Sequence, residues 1–273
     1  MGWEGGSFGE RGECVLAPNA NFMTLDGTNT WVLREPGARR CVVIDPGPPD
    51  PEHLAAIEAA VEAATGGLGV ATVLLTHHHF DHSESAKEFA ARWGCGVRAL
   101  DPEYRLGSEG LGDCDVVEVD GLEVRVVGTP GHTADSLCFW VPAEDAVLTG
   151  DTVLGRGTTV VAHPDGELGA YLDSLDRLHA LAAAREVTTI WPGHGPVIED
   201  ALGALDYYIA HRGQRLDQVR EALRTLQQAD HPEGIAVDEL PRRVVEIVYT
   251  DVDPVLWGAA ELSVRAQLEY LQR

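Results

Sequence analysis

Lysine is nearly absent from this chain: Lys87 is the only one, and every other basic side chain is an arginine. Lys and Arg together number 20 against 44 Asp and Glu, a formal charge of -24 at pH 7. A broad positive face for tracking nucleic acid or coating an anionic membrane is not expected, because both need clustered cations. Cysteine is sparse and unpatterned. Cys14, Cys41, Cys95, Cys114 and Cys138 are odd in number, scattered and never in C-x-x-C spacing. That excludes a disulfide-built fold and leaves buried thiols in a reducing compartment as the expectation. Acids, arginines or glycines interrupt every apolar stretch before it reaches the roughly 18 residues a membrane helix needs. The opening MGWEGGSFGERGE has no basic segment followed by an apolar run, so no secretory leader is read and a soluble, cytoplasmic protein is expected.

What is present suits a packed core. The 273 residues are 44% hydrophobic and 23% charged, which is ordinary globular composition and enough for one large domain with a small appendage. In the first half, short β-branched runs alternate with Ala-rich helical ones. Residues 30–34, 41–44 and 70–75 read as strands, and 52–64 reads as a helix with Pro51 at its start. A polar loop follows the third strand, and Ser83 is expected to cap a helix over 84–93 that Gly94 ends. Strands are expected at 97–100, 116–119, 122–127, 137–141, 146–149 and 187–191, with Asp120-Gly121 as a hairpin turn. Helices are expected at 168–184 and 200–228. This alternation predicts an α+β architecture of two mixed sheets packed face to face with helices outside. After a break at residues 231–234, helices over 237–248 and 254–272, with Leu256, Leu262, Val264, Leu268 and Leu271 as core, predict a small helical or winged-helix-like domain. The division is placed at 1–211 and 212–273.

The eleven histidines are not scattered evenly. Thr76-His77-His78-His79-Phe80-Asp81-His82 fits H-x-H-x-D-H. Single histidines stand in Gly/Pro-bounded loops after strands, at Thr129-Pro130-Gly131-His132 and Trp191-Pro192-Gly193-His194-Gly195, and Leu148-Thr149-Gly150-Asp151 ends an apolar run on an aspartate. Imidazoles and carboxylates suit zinc, iron or manganese. In an extended segment His77 and His79 fall on one side and can share a metal, while Asp81 and His82 at the turn into the helix can face a second. His78 and Phe80 read as loop and packing residues. His53, His179 and His231 read as surface residues, and His163 as a possible lip of the site. No Ser-His-Asp or Cys-His pattern competes, and no Gly-rich loop carries a P-loop lysine.

These motifs, in this order, resemble the metallo-β-lactamase superfamily over residues 14–200. The resemblance implies an αββα sandwich with two divalent metal ions, zinc first and iron or manganese as alternatives. It implies that His77, His79 and His132 hold one ion, Asp81, His82 and His194 the other, and that Asp151 bridges them. Asp45, closing the run CVVID, would support the ligands. Such a pair of ions acidifies a bridging water toward neutrality, and the hydroxide attacks a phosphorus or carbonyl carbon, with Asp81 as the catalytic residue that orients it. The resemblance therefore implies a metal-dependent hydrolase.

The substrate is less defined. True β-lactamases of the superfamily lack an aspartate at the position of Asp151, which argues against lactam hydrolysis. Gly27-Thr28-Asn29-Thr30-Trp31, Gly155-Arg156-Gly157-Thr158-Thr159-Val160 and Tyr208-Ile209-Ala210-His211-Arg212 resemble a lactamase-β-like group. That group includes a mitochondrial single-strand endoribonuclease and fungal thioesterases that release polyketides from carrier proteins. Asn29, Thr30, Arg156, His211 and Arg212 are the candidate substrate contacts, with Arg156, Arg212 and Arg215 as candidate phosphate readers. Three functions follow: a phosphodiesterase on single-stranded RNA, taken first; a thioesterase or ester/lactone hydrolase on a small acyl molecule; and a non-catalytic binder, against which the intact seven-ligand set argues. Asp238, Glu239, Glu246, Asp251 and Asp253 surround Arg242-Arg243, so the C-terminal part reads as a lid or a homodimer surface rather than a nucleic-acid reader.

Overall fold

The computed structural model describes residues 2–228, 236, 238–250 and 252–272. Strands β1 (Gly5–Phe8) and β2 (Gly12–Leu16) form an opening hairpin that composition did not announce. Glycine has low strand propensity and four of them punctuate this stretch, so the period-two pattern is erased. Gly9, at φ +58, makes the turn. Strands β3 (Asn29–Leu33) and β4 (Cys41–Ile44) extend the sheet antiparallel. Helix α1 (Pro51–Thr65) then crosses to β5 (Val70–Leu74), parallel to β4. Asp50 caps α1 by accepting from the amides of Glu52 and His53, both at 2.9 Å. A short helix α2 (Phe80–Ser83) and helix α3 (Ala86–Trp93) lead to β6 (Gly96–Arg98), which completes a six-stranded sheet in sequence order. Ser83 is not the cap expected of it. Its hydroxyl donates to the His78 carbonyl at 2.8 Å, and α3 begins only after Ser85.

The second sheet holds β7 (Val116–Val119), β8 (Leu122–Gly128), β9 (Leu137–Val141), β10 (Ala146–Gly150) and β11 (Thr189–Pro192). Its order is β11-β10-β9-β8-β7, and helix α4 (Leu168–Arg185) makes the crossover between the parallel pair β10 and β11. The sheets meet through Leu33, Ile44 and Leu74 on one side and Val124, Phe139 and Leu148 on the other. Trp31 of β3 stacks on Trp191 of β11 with ring centroids 4.8 Å apart, a cross-sheet contact worth about 1 kcal/mol beyond its buried area. Ile57, Val61 and Phe89 pack α1 and α3 on the outer face of the first sheet, and Leu175, Leu178 and Leu205 pack α4 and α5 (Ala201–Gln228) on the second. This is the αββα sandwich expected.

Helix α5 runs through the division drawn at 211/212. Val219 and Ala222 in its second half pack on Val244 and Val245 of α6 (Leu240–Val248) and Val264 of α7 (Trp257–Gln272), so it belongs to both layers. A 3-10 turn over Pro254–Leu256 precedes α7 where a longer helix was expected. Leu262, expected in the core, is 40% exposed, and the inward position belongs to Val264. His231, the break at 231–234 and Val237 lie outside the described residues. Of the cysteines, Cys14, Cys41 and Cys138 are buried as expected, but Cys114 is exposed. Among the described residues no helix is long and apolar enough to cross a membrane.

Candidate metal centre

Loops at one end of the sandwich carry the seven expected ligands. His77, His79, Asp81 and His82 follow β5, with the last two on α2; His132 lies between β8 and β9; Asp151 follows β10; His194 follows β11. The ends of parallel strands place their loops on the same rim, which is where open α/β sheets build sites. Two groups of ligand atoms result, His77, His79, His132 and Asp151 in one and Asp81, His82 and His194 in the other. His79 Nδ1 is 3.0 Å from His77 Nε2 and 3.1 Å from His132 Nε2. His194 Nε2 is 3.3 Å from His82 Nε2 and 3.2 Å from Asp81 Oδ2. Asp151 reaches both groups, with Oδ2 3.6 Å from His132 Nε2 and Oδ1 3.3 Å from His194 Nε2.

The outer nitrogens are held in place. Thr76 donates to Asp45 through its amide at 2.8 Å and its hydroxyl at 2.6 Å, which leaves the hydroxyl oxygen to accept from His77 Nδ1 at 3.0 Å. His82 Nδ1 donates to Asp45 Oδ2 at 2.9 Å, His132 Nδ1 to the Val160 carbonyl at 2.8 Å and His194 Nδ1 to the Gly27 carbonyl at 3.1 Å. With Nδ1 protonated in each, the Nε2 lone pairs of His77 and His132 converge on His79 Nδ1, whose single proton can serve one of them, whereas a cation can be shared by all three. Asp151 Oδ1 is buried and has no hydrogen-bond partner. The donor set therefore fits two divalent cations.

Electrostatics agree. Burial pushes His79 down to about 4 and lowers His77 and His132, so these stay neutral and able to ligate. Burial opposes charge on His194 too, but Asp151 and Asp81 override it and raise the imidazole to about 9; Asp81, Asp151 and Asp45 likewise raise His82. Asp81 and Asp151 thus draw positive charge to this end of the sandwich, from protons when no cation is bound.

Residues 23–194 match the metallo-beta-lactamase superfamily, and residues 241–273 match the beta-lactamase associated winged helix domain. The chain belongs to the metallo-β-lactamase superfamily. It is 32% identical to the Beta-lactamase-like protein 2 homolog of Drosophila melanogaster, over 95% of this chain and 87% of that protein. It is 34% identical to the Atrochrysone carboxyl ACP thioesterase of Aspergillus fumigatus, over 81% of this chain and 68% of that one. A beta-lactamase domain protein from Burkholderia ambifaria shares the fold, with a TM-score of 0.78, 20% identity and coverage of 98% of this chain and 87% of that one. Like other members of the superfamily, the chain is a hydrolytic enzyme.

Most of the expected substrate contacts serve this superfamily scaffold instead. Asn29 is fully buried and holds the His194 loop, its amide side chain donating to the carbonyls of Pro192 at 2.9 Å and Gly195 at 2.8 Å. Thr30 is equally buried and donates to the Asp45 carbonyl at 2.7 Å. Arg212 is buried and donates to the Thr159 carbonyl, and Arg215 donates to the Val248 carbonyl at 3.0 Å, turned toward the C-terminal helices. Arg156 remains half exposed, paired with Asp26. His211 is half-buried on α5, stacked on Tyr207.

Of the remaining histidines, His179 lies at the surface as expected, 3.1 Å from Asp206, and His78 stays in its loop, but His53 differs from expectation. His53 is a core residue, 2% exposed, with Nε2 2.9 Å from the Thr30 hydroxyl. His78 binds Asp135 through Nδ1 at 2.8 Å, and His163 pairs with Glu269 of α7 at 2.9 Å. Phe80, expected to pack, is 73% exposed. Two functional threonines escaped the sequence reading: Thr76, which relays Asp45 to His77, and Thr28, whose hydroxyl donates to Asp81 Oδ2 at 3.1 Å. Thr28 stands just before β3, one residue ahead of Asn29 and two ahead of Thr30.

Proposed function

We propose that the chain is a dinuclear metal-dependent hydrolase of acyl thioesters or esters. His77, His79 and His132 would hold one ion, Asp81, His82 and His194 the other, and Asp151 both. When bound, such ions acidify water and polarise the oxygen of a scissile acyl or phosphoryl group. Asp81 is the most open of the carboxylates here, and its Oδ2 is fixed by Thr28. It orients the attacking water, while Asp45 and the Val160 and Gly27 carbonyls keep the imidazoles aimed. A thiolate leaving group, whose thiol has a pKa of about 8.5, departs without a proton from the protein.

The observation that carries the acyl reading is the disposition of the arginines. Arg156 is engaged by Asp26, Arg212 is buried, and Arg215 faces Val248, so none of the three extends freely toward a phosphate chain. Arg242 and Arg243 are likewise paired, with Glu246 and Glu261. Apolar side chains stand exposed instead: Phe80 beside Asp81, and Phe22 and Met23 on the loop that leads to Thr28. The relative named as an acyl-carrier thioesterase supports the same ordering.

The test is a side-by-side assay of the purified protein loaded with Zn2+, Mn2+ or Fe2+, using acyl thioesters, a bis-phosphodiester and fluorescent single-stranded RNA. Thioester cleavage that a chelator abolishes, with two ions per chain by elemental analysis, is the expected result. RNA cleavage without thioester cleavage would return the endoribonuclease reading to first place.

A further inference from the structure

We infer that Arg212 is a positioning residue: from helix α5 it sets the aim of His132 and Asp151. Its loss would loosen the ion held by His77, His79 and His132 more than the ion held by Asp81, His82 and His194. Only this affinity difference rests on the metal reading above.

Arg212 is 5% exposed, and among the described residues no carboxylate lies within ion-pair distance of it. A buried guanidinium without a counter-charge is costly, so the contacts that hold it there are its compensation. Its guanidinium carbon sits 4.8 Å above the Tyr171 ring, and its Nη2 donates to the Thr159 carbonyl. Thr159 passes the constraint on: its hydroxyl donates to the Asp151 carbonyl at 2.6 Å. The next residue supplies the Val160 carbonyl that accepts from His132 Nδ1 at 2.8 Å. Residues 151–160 contain no helix or strand, so side chains rather than a backbone ladder give this segment its shape. Two more clamps act on it. The Tyr171 hydroxyl donates to the Thr152 carbonyl at 2.7 Å, and the Tyr208 hydroxyl, one turn before Arg212, accepts from the Leu154 amide at 2.8 Å.

The side chains of the other ligands are aimed from elsewhere. His82 is held by Asp45 and His194 Nδ1 by the Gly27 carbonyl, while the 151–160 segment meets the backbone of His194, whose carbonyl accepts from the Gly155 amide at 2.9 Å. His77 depends on Thr76 and Asp45. Release of Arg212 should therefore be felt at His132 first. The same helix packs on α6 and α7 beyond Arg212, which puts the metal centre in mechanical contact with the C-terminal helices.

The experiment compares full-length wild type, Arg212→Met and Arg212→Lys. In metal-free protein, long-range proton–nitrogen spectra of the imidazoles should show His132 as the Nδ1–H tautomer in wild type. Arg212→Met should mix its tautomers while His194 is unchanged, and Arg212→Lys, which keeps a donor for the Thr159 carbonyl, should restore the wild-type signature. In Zn2+ titrations against a chromophoric chelator, with His132→Ala and His194→Ala marking the two ions, Arg212→Met should weaken the His132 ion about tenfold or more and the His194 ion, which shares Asp151, by less. An unchanged His132 signature in Arg212→Met, or equal weakening of both ions, overturns the inference. A wild type that binds fewer than two ions overturns the dinuclear reading alone, and the metal-free spectra still decide the role of Arg212.

Discussion

Asp45→Asn is the sharpest probe of the metal centre, because one side chain serves both groups of ligands. Asp45 is 2% exposed and accepts from the Thr76 amide at 2.8 Å, the Thr76 hydroxyl at 2.6 Å and His82 Nδ1 at 2.9 Å. Its φ of +51 lies in the left-handed region that asparagine tolerates, so the backbone need not move. The amide, however, has one oxygen for three donors. If that oxygen keeps the Thr76 amide, its NH2 confronts the His82 Nδ1–H, and His82 turns to the Nε2–H tautomer and loses its lone pair toward the site. The Thr76 hydroxyl loses its acceptor in the same step, which frees His77. Disturbing such an outer partner costs about 10–100-fold in metal affinity, or about 1.4–2.7 kcal/mol at 1.36 kcal/mol per decade. Both ions should weaken, in contrast to the selective effect expected at Arg212. Chelator competition with elemental analysis reads the affinities, and circular dichroism checks the fold. A folded Asp45→Asn protein that binds two ions as tightly as wild type would refute the reasoning.

Three further outcomes follow from particular contacts. Burial pushes His53 down to about 4, from an ordinary value of about 6.5. Below about pH 6.5 the unfolded chain takes up a proton that the folded one refuses, so this contribution to stability is complete above that pH and falls by about 3 kcal/mol toward pH 4; urea midpoints across the window should lose that part of their slope in His53→Gln. A Cβ at Gly193 would lie 2.8 Å from both Asp151 Oδ1 and His82 Cε1, so Gly193→Ala should fold yet bind metal about tenfold more weakly, measured by the same competition. Arg156→Ala removes a half-exposed ion pair with Asp26 and should shift stability by no more than about 1 kcal/mol, with an unchanged KM for thioester; a raised, salt-dependent KM for RNA would instead make Arg156 a phosphate contact.

The legible parts of this protein were those that chemistry writes locally. H-x-H-x-D-H, the isolated histidines after strands and the aspartate ending β10 stand in short loops whose positions follow from the strands before them. The contacts with poorer legibility depend on what arrives from elsewhere in the chain. Asn29 and Thr30 read as candidate substrate contacts, but β11 and α1 close over them, and their hydrogen bonds go to the His194 loop and to Asp45. Arg212 looked like a free cation on a helix until α4 supplied the Tyr171 ring beneath it. Phe80 failed in the opposite direction, because α2 is a single turn and carries it outward.

Sequence alone determined the layered α+β architecture, the acidic body without a basic stripe and the identity of the residues able to hold cations. Apolar periodicity and ligand chemistry are local properties, readable within a few residues. Only the tertiary structure decided which donors converge on one point, which imidazole nitrogens are turned inward and which arginines are already engaged. Those depend on hydrogen bonds between residues far apart in the chain, such as His132 with Val160 or Asn29 with Gly195, and no pattern within a single segment encodes them.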